Sequence, residues 1–149
     1  MRWKPNITVA SIIEQDNKFL MVEEITNTGI KINQPAGHIE VNESIIEGSI
    51  RETLEETLYR YSPEFIVGIY KWKDTVNNTT YIRFTFSGKI IRKEKGKLDI
   101  NILRSTWLTK SEIILKKDFL RSPIILRSID DYLDGKRTSL NTISEIDDI

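Results

Sequence analysis

Three glutamates with helical spacing are the residues of this sequence best suited to chemistry. Glu52, Glu55 and Glu56 lie in a segment, residues 44–59, whose apolar side chains recur with the period of an α-helix. The three carboxylates fall within an arc of roughly 100° on the face opposite the apolar one. Carboxylates grouped without histidine or cysteine are the ligands that hard divalent cations such as Mg²⁺ or Mn²⁺ prefer.

This acidic face is a poor way to stabilise a helix. Glu52 has a like charge three and four residues ahead, and each such pair is repulsive by about 0.2–0.5 kcal/mol. The acids also lie in the second half of the helix, where the macrodipole disfavours anions. Arg51, four residues before Glu55, offsets part of the repulsion. Two interpretations therefore stand side by side: a solvated acidic surface, or a face that binds a divalent cation.

A longer pattern around the helix favours the second interpretation. It resembles the signature of the Nudix family, which is Gly, five residues, Glu, seven residues, and then Arg-Glu-U-x-Glu-Glu-x-Gly-U, where U is bulky and apolar. The fixed positions that match in register are Gly37, Glu43, Arg51, Glu52, Glu55 and Glu56. With residue usage near about 5–7%, such a match has a chance on the order of 10⁻⁵ in a chain of this length. Two positions differ, since Thr53 stands where an apolar residue is usual and Leu58 replaces the glycine.

The resemblance implies a set of metal-site residues. Glu52 and Glu56 are then the principal ligands of Mg²⁺, with Mn²⁺ as a substitute, and the backbone carbonyl of Gly37 is an additional ligand. Glu55 is implied to be a further ligand or the base that activates water. Arg51 is implied to orient Glu55 or another carboxylate of the motif. Glycine suits position 37 because it lets the loop approach the ligands closely.

Three further residues are candidates for substrate binding. Arg83, on a predicted strand, either clamps phosphate as a fork donor or forms a surface salt bridge, and the resemblance favours phosphate. His38, the single histidine of the chain, either contacts a phosphate or satisfies backbone groups of its loop. Trp72, on an alternating strand, either stacks on a base or heterocycle or belongs to the core.

The resemblance covers most of the chain, from residue 4 to about residue 139, and points to a bacterial phosphatase subgroup of the family. It implies a small-molecule phosphorylated substrate. Nucleoside tri- and diphosphates would be hydrolysed to monophosphates with release of orthophosphate, and the thiamine-pathway intermediate hydroxymethylpyrimidine pyrophosphate would also be a substrate. Two alternatives stay open: a nucleoside triphosphate pyrophosphohydrolase that releases pyrophosphate, or a non-catalytic nucleotide-binding Nudix module.

The elements that must position these residues are predicted from apolar periodicity and turn residues. Strands are expected at residues 7–13, 19–24, 30–33, 64–72, 79–91 and 100–108, and helices at 44–59, 111–115 and 123–133. This pattern is typical of an α/β (α+β) fold, and the resemblance implies an α/β/α sandwich with a central mixed β-sheet. We expect a single Nudix domain over residues 1–135 and a C-terminal tail over 136–149 that is partly disordered.

The sequence contains signals for both ends of the motif helix, which is the helix predicted over residues 44–59. Ser44, followed three residues later by Glu47, is a capping-box signature for its start. Its end is left open, because a leucine in the left-handed conformation costs about 1–2 kcal/mol. Either the helix runs on past Leu58, or Leu58 is strained.

Composition narrows the class of protein. The 149 residues carry 22 Lys and Arg against 22 Asp and Glu, and this balance argues against nucleic acid or an anionic membrane as a partner. The absence of cysteine excludes disulfides, thiolate zinc sites and cysteine nucleophiles. The apolar run at 7–13 is too short for a signal peptide or a membrane span. We therefore expect a cytoplasmic protein, acting as a monomer.

Overall fold

The computed structural model describes residues 1–147, which form a mixed α/β structure. In that range the strands are β1 (Asn6–Ile12), β2 (Glu14–Gln15), β3 (Lys18–Thr26), β4 (Gly29–Asn33), β5 (Ala36–His38), β6 (Tyr59–Asp74), β7 (Thr79–Lys93), β8 (Ile102–Thr109) and β9 (Thr138–Ser139). The α-helices of the same range are α1 (Ile45–Thr57), α2 (Lys110–Leu115) and α3 (Ile124–Leu133). The predicted fold class, α/β with a central mixed sheet, is confirmed.

Two sheets form the framework. The first has the strand order β5-β1-β7-β6-β9 and is mixed, because β1 and β7 run parallel while the other neighbours are antiparallel. The second is antiparallel, with β3 between β4 and β8 and the short β2 also paired to β3. One core cluster joins both sheets to α2 and α3, and it includes Phe19, Met21, Val67, Ile113 and Ile129. This cluster fixes α3 against the first sheet.

The sequence of the motif helix determines where it begins and ends. Ser44 accepts a hydrogen bond from the backbone N–H of Glu47, and the Glu47 carboxylate accepts the N–H of Ser44, so the predicted capping box is present. The helix ends at Thr57, because Leu58 adopts φ 63° and ψ 9°, a left-handed conformation. The expected helix over 44–59 is thus too long, and the strained Leu58 is the alternative observed.

The strand that follows this helix is longer than the sequence predicts. The strand expected over 64–72 instead begins at Tyr59 and runs through Pro63. The pairing register with β7 shifts just past Pro63, and such a bulge accommodates a residue that lacks an N–H. Gly88 lies opposite Pro63, and a Cβ there would overlap the carbonyl oxygen of Ser62. A proline therefore ends neither the strand nor the sheet here.

Residues 136–147, which the sequence assigns to a tail, contribute to the fold. The strand β9 pairs with β6, and Leu140 and Ile143 pack against a core cluster of the first sheet. The Glu145 carboxylate accepts the first backbone N–H of α1. The predicted domain boundary therefore does not mark the end of the sheet, and the part of the tail prediction that falls on 148–149 lies outside the described residues. None of the helices in the described chain combines the length and apolar character needed to traverse a bilayer.

Candidate active site

A cluster of three carboxylates lies where α1 faces the loop before β8. One carboxylate oxygen from each of Glu52, Glu56 and Asp99 lies within 4.8 Å of the other two. The two glutamates are four residues apart, which places them on one face of α1. Asp99 is held beside the helix by its backbone N–H, which donates to the Glu55 carbonyl oxygen at 3.0 Å. Oxygen atoms grouped in this way fit a hard divalent cation.

Strand β5 brings the backbone at Gly37 against the same cluster. Gly37 lies opposite Val9 in the β5–β1 ladder. A Cβ added at Gly37 would overlap the Glu52 carboxyl group, so any other residue would displace that side chain. The neighbouring Ala36 N–H donates to Glu56 Oε1 at 2.8 Å. The close approach that the sequence predicts for this loop is therefore present.

The carboxyl groups of the cluster have too few donors and cations around them to offset their burial. Burial raises the pKa of Glu56 to about 9, and the hydrogen bond from Ala36 offsets only some of that effect. Burial likewise raises the pKa of Glu52 to about 7, against the opposing hydrogen bond from Arg51. The repulsion between neighbouring carboxylates adds to both shifts. A bound divalent cation would favour the ionised form of each glutamate, so the electrostatics also fit one.

Arg51 connects the helix to the loop that precedes it. Its Nε and Nη2 donate to the two carboxylate oxygens of Glu43, and Nη2 also donates to the His38 carbonyl oxygen at 2.9 Å. Its Nη1 donates to Glu52 Oε1 at 2.9 Å and to Glu55 Oε2 at 3.1 Å. Glu55, which the resemblance implies to be a further ligand or the base, thus lies partly exposed beside Arg51. The third carboxylate of the cluster belongs to Asp99.

Arg83 is a buried cation without a full set of partners. Its side chain lies near Thr8 Oγ1, at 3.5 Å from Nε, and its Nη1 has no hydrogen-bond partner among residues 1–147. Burial lowers the pKa of Arg83 to about 10, while the nearby carboxylates of Glu24 and Glu56 favour its charged form. The surface salt bridge considered from the sequence is wrong, because the residue is only 7% exposed. An unpaired guanidinium donor beside the carboxylate cluster suits a phosphate.

The cross-strand neighbours of Arg83 extend this surface across the first sheet. Thr8 lies opposite both His38 on β5 and Arg83 on β7, and Arg83 lies opposite Tyr70 on β6. Residues directly opposite one another share a face of the sheet. A row of side chains, the His38–Tyr70 row, therefore crosses four strands, with His38 exposed at one end and Arg83 buried inside it.

Trp72 lies on the same face, in the next row. It is opposite Tyr81 in the β6–β7 ladder, and the two rings stack with centroids 5.6 Å apart and planes at 17°. The His38 ring centroid is 6.5 Å from that of Tyr81. Trp72 is half-buried and belongs to none of the core clusters found in the described chain, so its placement favours a surface role over a core role.

Three charged residues near the cluster were not predicted as site residues. Asp99 follows a basic turn without any periodic pattern, and nothing in the sequence marks it. Glu24 accepts a hydrogen bond from Asn33 Nδ2 at 2.9 Å and lies 3.6 Å from Arg121 Nη1. An acid within a predicted apolar strand was the available signal for Glu24. Arg121, which the sequence suggests only as part of a turn before α3, owes its place to the tertiary fold.

Comparison with known proteins gives concordant matches. The family model for the NUDIX domain matches residues 3–127. Phosphatase NudJ of Shigella boydii is 36% identical over 146 residues, which cover 96% of this chain and 93% of that protein. Phosphatase NudJ of Escherichia coli K12 is 35% identical with the same coverage. A solved structure of a NUDIX hydrolase from Nitrosomonas europaea is 48% identical, covers 96% of this chain and 98% of its own, and superposes with a TM-score of 0.93.

Proposed function

The chain belongs to the Nudix family, and we propose that it is a Mg²⁺-dependent phosphohydrolase that converts nucleoside tri- and diphosphates to monophosphates with release of orthophosphate. It is a hydrolase of phosphoric anhydrides, similar to the NudJ phosphatases. The observation that carries the proposal is the carboxylate cluster of Glu52, Glu56 and Asp99, which lies near the unpaired guanidinium donor of Arg83.

The residues of this cluster fit a divalent cation by the chemistry of their donors. Glu52 and Glu56 would be the principal ligands, with Asp99 and the Gly37 carbonyl completing an all-oxygen set. Mn²⁺ would substitute for Mg²⁺ because it accepts the same oxygen ligands. When bound, the cation supplies positive charge that stabilises the negative charge developing on the phosphate oxygens.

Glu55 is the residue that we assign to accepting the proton of the attacking water. Its carboxylate is partly exposed, and the hydrogen bond that the structure gives it comes from Arg51 through Oε2. Its other oxygen therefore remains available to a water molecule. Arg51 acts as a positioning residue, because the same guanidinium group holds Glu52, Glu55 and the Glu43 anchor in fixed relation.

The His38–Tyr70 row would bind the substrate. Three strand spacings separate its ends, roughly 14 Å, which is long enough for a diphosphate joined to a ribose or a pyrimidine. Arg83 would bind a phosphate through its unpaired Nη1, and His38 would contact the phosphate chain at the exposed end. Trp72, in the next row, would stack on the heterocycle.

We extend the proposal to hydroxymethylpyrimidine pyrophosphate, the thiamine-pathway intermediate, because it too joins a diphosphate to a flat heterocycle. We also take the protein to act as a cytoplasmic monomer on small phosphorylated substrates.

A hydrolysis screen tests the proposal. The purified protein is incubated with nucleoside tri- and diphosphates and with hydroxymethylpyrimidine pyrophosphate, in EDTA, Mg²⁺ or Mn²⁺, and orthophosphate and pyrophosphate are measured separately. We expect orthophosphate and a monophosphate, with turnover only when the metal is present. Release of pyrophosphate from triphosphates would replace the proposal with a pyrophosphohydrolase. Nucleotide binding without turnover would replace it with a non-catalytic module.

A pair of glutamate variants provides the control for this screen. Glu52→Gln removes a ligand of the carboxylate cluster, and we expect turnover to fall by at least about 100-fold. Glu64→Gln makes the same chemical change at an exposed position on β6, away from the cluster, and should leave turnover unchanged. Equal activity in the two variants would contradict the proposed metal site.

A further inference from the structure

A cavity of about 540 Å³ lies between β6 and α3, beyond the metal site. Tyr70 and Trp72 line it from β6, and Ile124 and Arg127 line it from α3. A volume of this size falls in the range of small-ligand pockets and accommodates a heterocycle with its sugar. The lining includes two aromatic rings, several aliphatic side chains and charged groups, and aromatic surface beside aliphatic side chains is typical of heterocycle sites.

The cavity is continuous with the surface that carries the buried cation of the site. Tyr70 lies opposite Arg83 in the β6–β7 ladder, and opposed residues share a face with Cβ atoms about 4.5–5.5 Å apart. Trp72 stacks on Tyr81 of the same face and presents its remaining surface to the cavity. A ligand whose phosphate reaches Arg83 would therefore place its other end in the cavity.

The single carboxylate at the rim of the cavity is already fully engaged. Asp131 accepts the Tyr70 hydroxyl at 2.7 Å, Arg127 Nε at 3.1 and 3.3 Å, and pairs with Lys136 Nζ at 3.1 Å. No acceptor of Asp131 is left over for a ligand. Among the charged side chains that line the cavity in the described chain, those left for a ligand are donors.

Arg127 supplies those donors. It reaches Asp131 through Nε, and its Nη1 and Nη2 make no hydrogen bond within residues 1–147. Two adjacent N–H groups at the end of a planar guanidinium form a fork that matches two acceptors on one edge of a base. Lys136, anchored on the same carboxylate, adds a further cation and no acceptor.

We propose that this cavity binds the heterocycle of the substrate and that Arg127 selects a base with two acceptors on one edge, as guanine has. Guanine presents O6 and N7 together, whereas adenine replaces the first acceptor with an amino donor. The amino group of adenine would face a donor with no acceptor nearby. This inference rests on the proposed function, since the phosphates must occupy the metal site for the base to reach Arg127.

Binding of products tests the inference without any need for turnover. The ¹⁵N-labelled full chain is titrated with GMP, AMP or ribose 5-phosphate in the presence of Mg²⁺, and the indole N–H signal of Trp72, assigned with Trp72→Phe, is followed by NMR. The three ligands share a phosphate and a sugar and differ only in the base. We expect GMP to shift this signal and to bind at least about 10-fold more tightly than AMP or ribose 5-phosphate.

Two Arg127 variants separate recognition from structure. Arg127→Ala removes the fork, and GMP should then bind no more tightly than AMP. Arg127→Lys keeps a cation beside Asp131 but offers no fork, and the preference should be lost in the same way. Arg92→Ala, which removes another exposed arginine, should leave the preference intact.

The outcomes distinguish this inference from the proposed function. Equal affinity for GMP and AMP in the unmodified protein would overturn the inference, as would a preference that survives in both Arg127 variants. If metal-dependent hydrolysis is found without a guanine preference, the proposed function stands and the inference falls. A guanine preference that depends on Arg127, found without hydrolysis, would support the cavity assignment and contradict the proposed function.

Discussion

Glu56 and Asp131 are almost equally shielded from solvent, at 7% and 6% exposed, yet their pKa values move in opposite directions. Burial dominates at Glu56, whose carboxylate receives a single backbone N–H, and its pKa rises to about 9. Burial also raises the pKa of Asp131, but hydrogen bonds from Tyr70, Lys136 and Arg127 outweigh it, and the pKa lies below its ordinary value.

The difference shows that the number of donors, together with depth below the protein surface, separates the two carboxylates. Asp131 has a complete set of donors and fixes α3 to β6 through Tyr70. Glu56 lacks such a set, and its neighbours in the cluster, Glu52 and Asp99, are also acidic side chains. A deficit of positive charge maintained inside a folded protein is what a cation site requires.

Replacing Glu56 should produce the largest change in turnover. Glu56→Gln keeps an oxygen for the Ala36 N–H but removes the charge, so turnover with Mg²⁺ should fall by at least about 100-fold. The free energy of unfolding in EDTA at neutral pH should change little, because the raised pKa of Glu56 keeps its side chain protonated there and glutamine is likewise uncharged. Steady-state kinetics and urea unfolding measure the two effects, with Glu64→Gln as the matched control. Unchanged turnover would remove Glu56 from the site.

The matching change at Asp131 should have the opposite profile. Asp131→Asn removes the negative charge from a group with three donors, and we expect the free energy of unfolding to fall by about 1–3 kcal/mol. The chemistry itself should remain, because Asp131 lies outside the carboxylate cluster. Urea unfolding, together with kcat for the best substrate, checks this. A variant that loses turnover but not stability would contradict the structural role of Asp131.

A smaller effect is expected at Asp99, the member of the cluster that comes from a loop. Asp99→Asn leaves its backbone hydrogen bond to Glu55 in place and removes one carboxylate of the cluster. We expect the Kd for Mg²⁺ to rise by about 10-fold, which is about 1.4 kcal/mol. Calorimetric titration with Mg²⁺ measures the change. Unaltered affinity would show that the two helix glutamates suffice without Asp99.

The smallest expected effect is the pH dependence of stabilisation by Mg²⁺. In the metal-free protein the folded-state pKa values of Glu52 and Glu56, about 7 and 9, lie above those of unfolded glutamate. The folded state then binds more protons than the unfolded state, so the free energy of unfolding in EDTA should decrease as pH rises from about 4.5 to 9. Mg²⁺ binds the ionised forms and should reverse this decrease.

The stabilisation by saturating Mg²⁺ should therefore be greater at about pH 8.5 than at about pH 5.5, by about 1 kcal/mol or more. Urea unfolding in EDTA and in Mg²⁺ at each pH gives the difference directly. Other titrating groups contribute equally with and without the metal and cancel in it. A stabilisation that shrinks as pH rises would contradict the assignment of the raised pKa values to the metal site.

Local features of the site could be predicted from the sequence because they depend on short-range spacing. The capping box of Ser44 and Glu47 and the shared face of Glu52 and Glu56 follow from geometry within one helix, whereas the glycine at position 37 was expected from the resemblance to the Nudix family. The α/β fold class follows from the apolar periodicity of the predicted elements. The resemblance to the Nudix family supplied the sandwich architecture and the roles of the site residues.

Long-range features could not be predicted in this way. Asp99 lies 43 positions from Glu56 along the chain, and only the fold brings them together. The burial of Arg83 depends on which face of β7 is inward, which alternation alone does not decide. Whether Leu58 adopts the strained left-handed conformation depends on how the whole helix packs, and the helix propensity of leucine does not predict this.

A crystal of this protein soaked with Mn²⁺ tests the proposed metal site most directly, because anomalous scattering locates the ion without reference to activity. We expect an anomalous peak in contact with Glu52 and Glu56, with Asp99 and the Gly37 carbonyl around it. A peak elsewhere, or those carboxylates turned toward solvent with no ion between them, would contradict it.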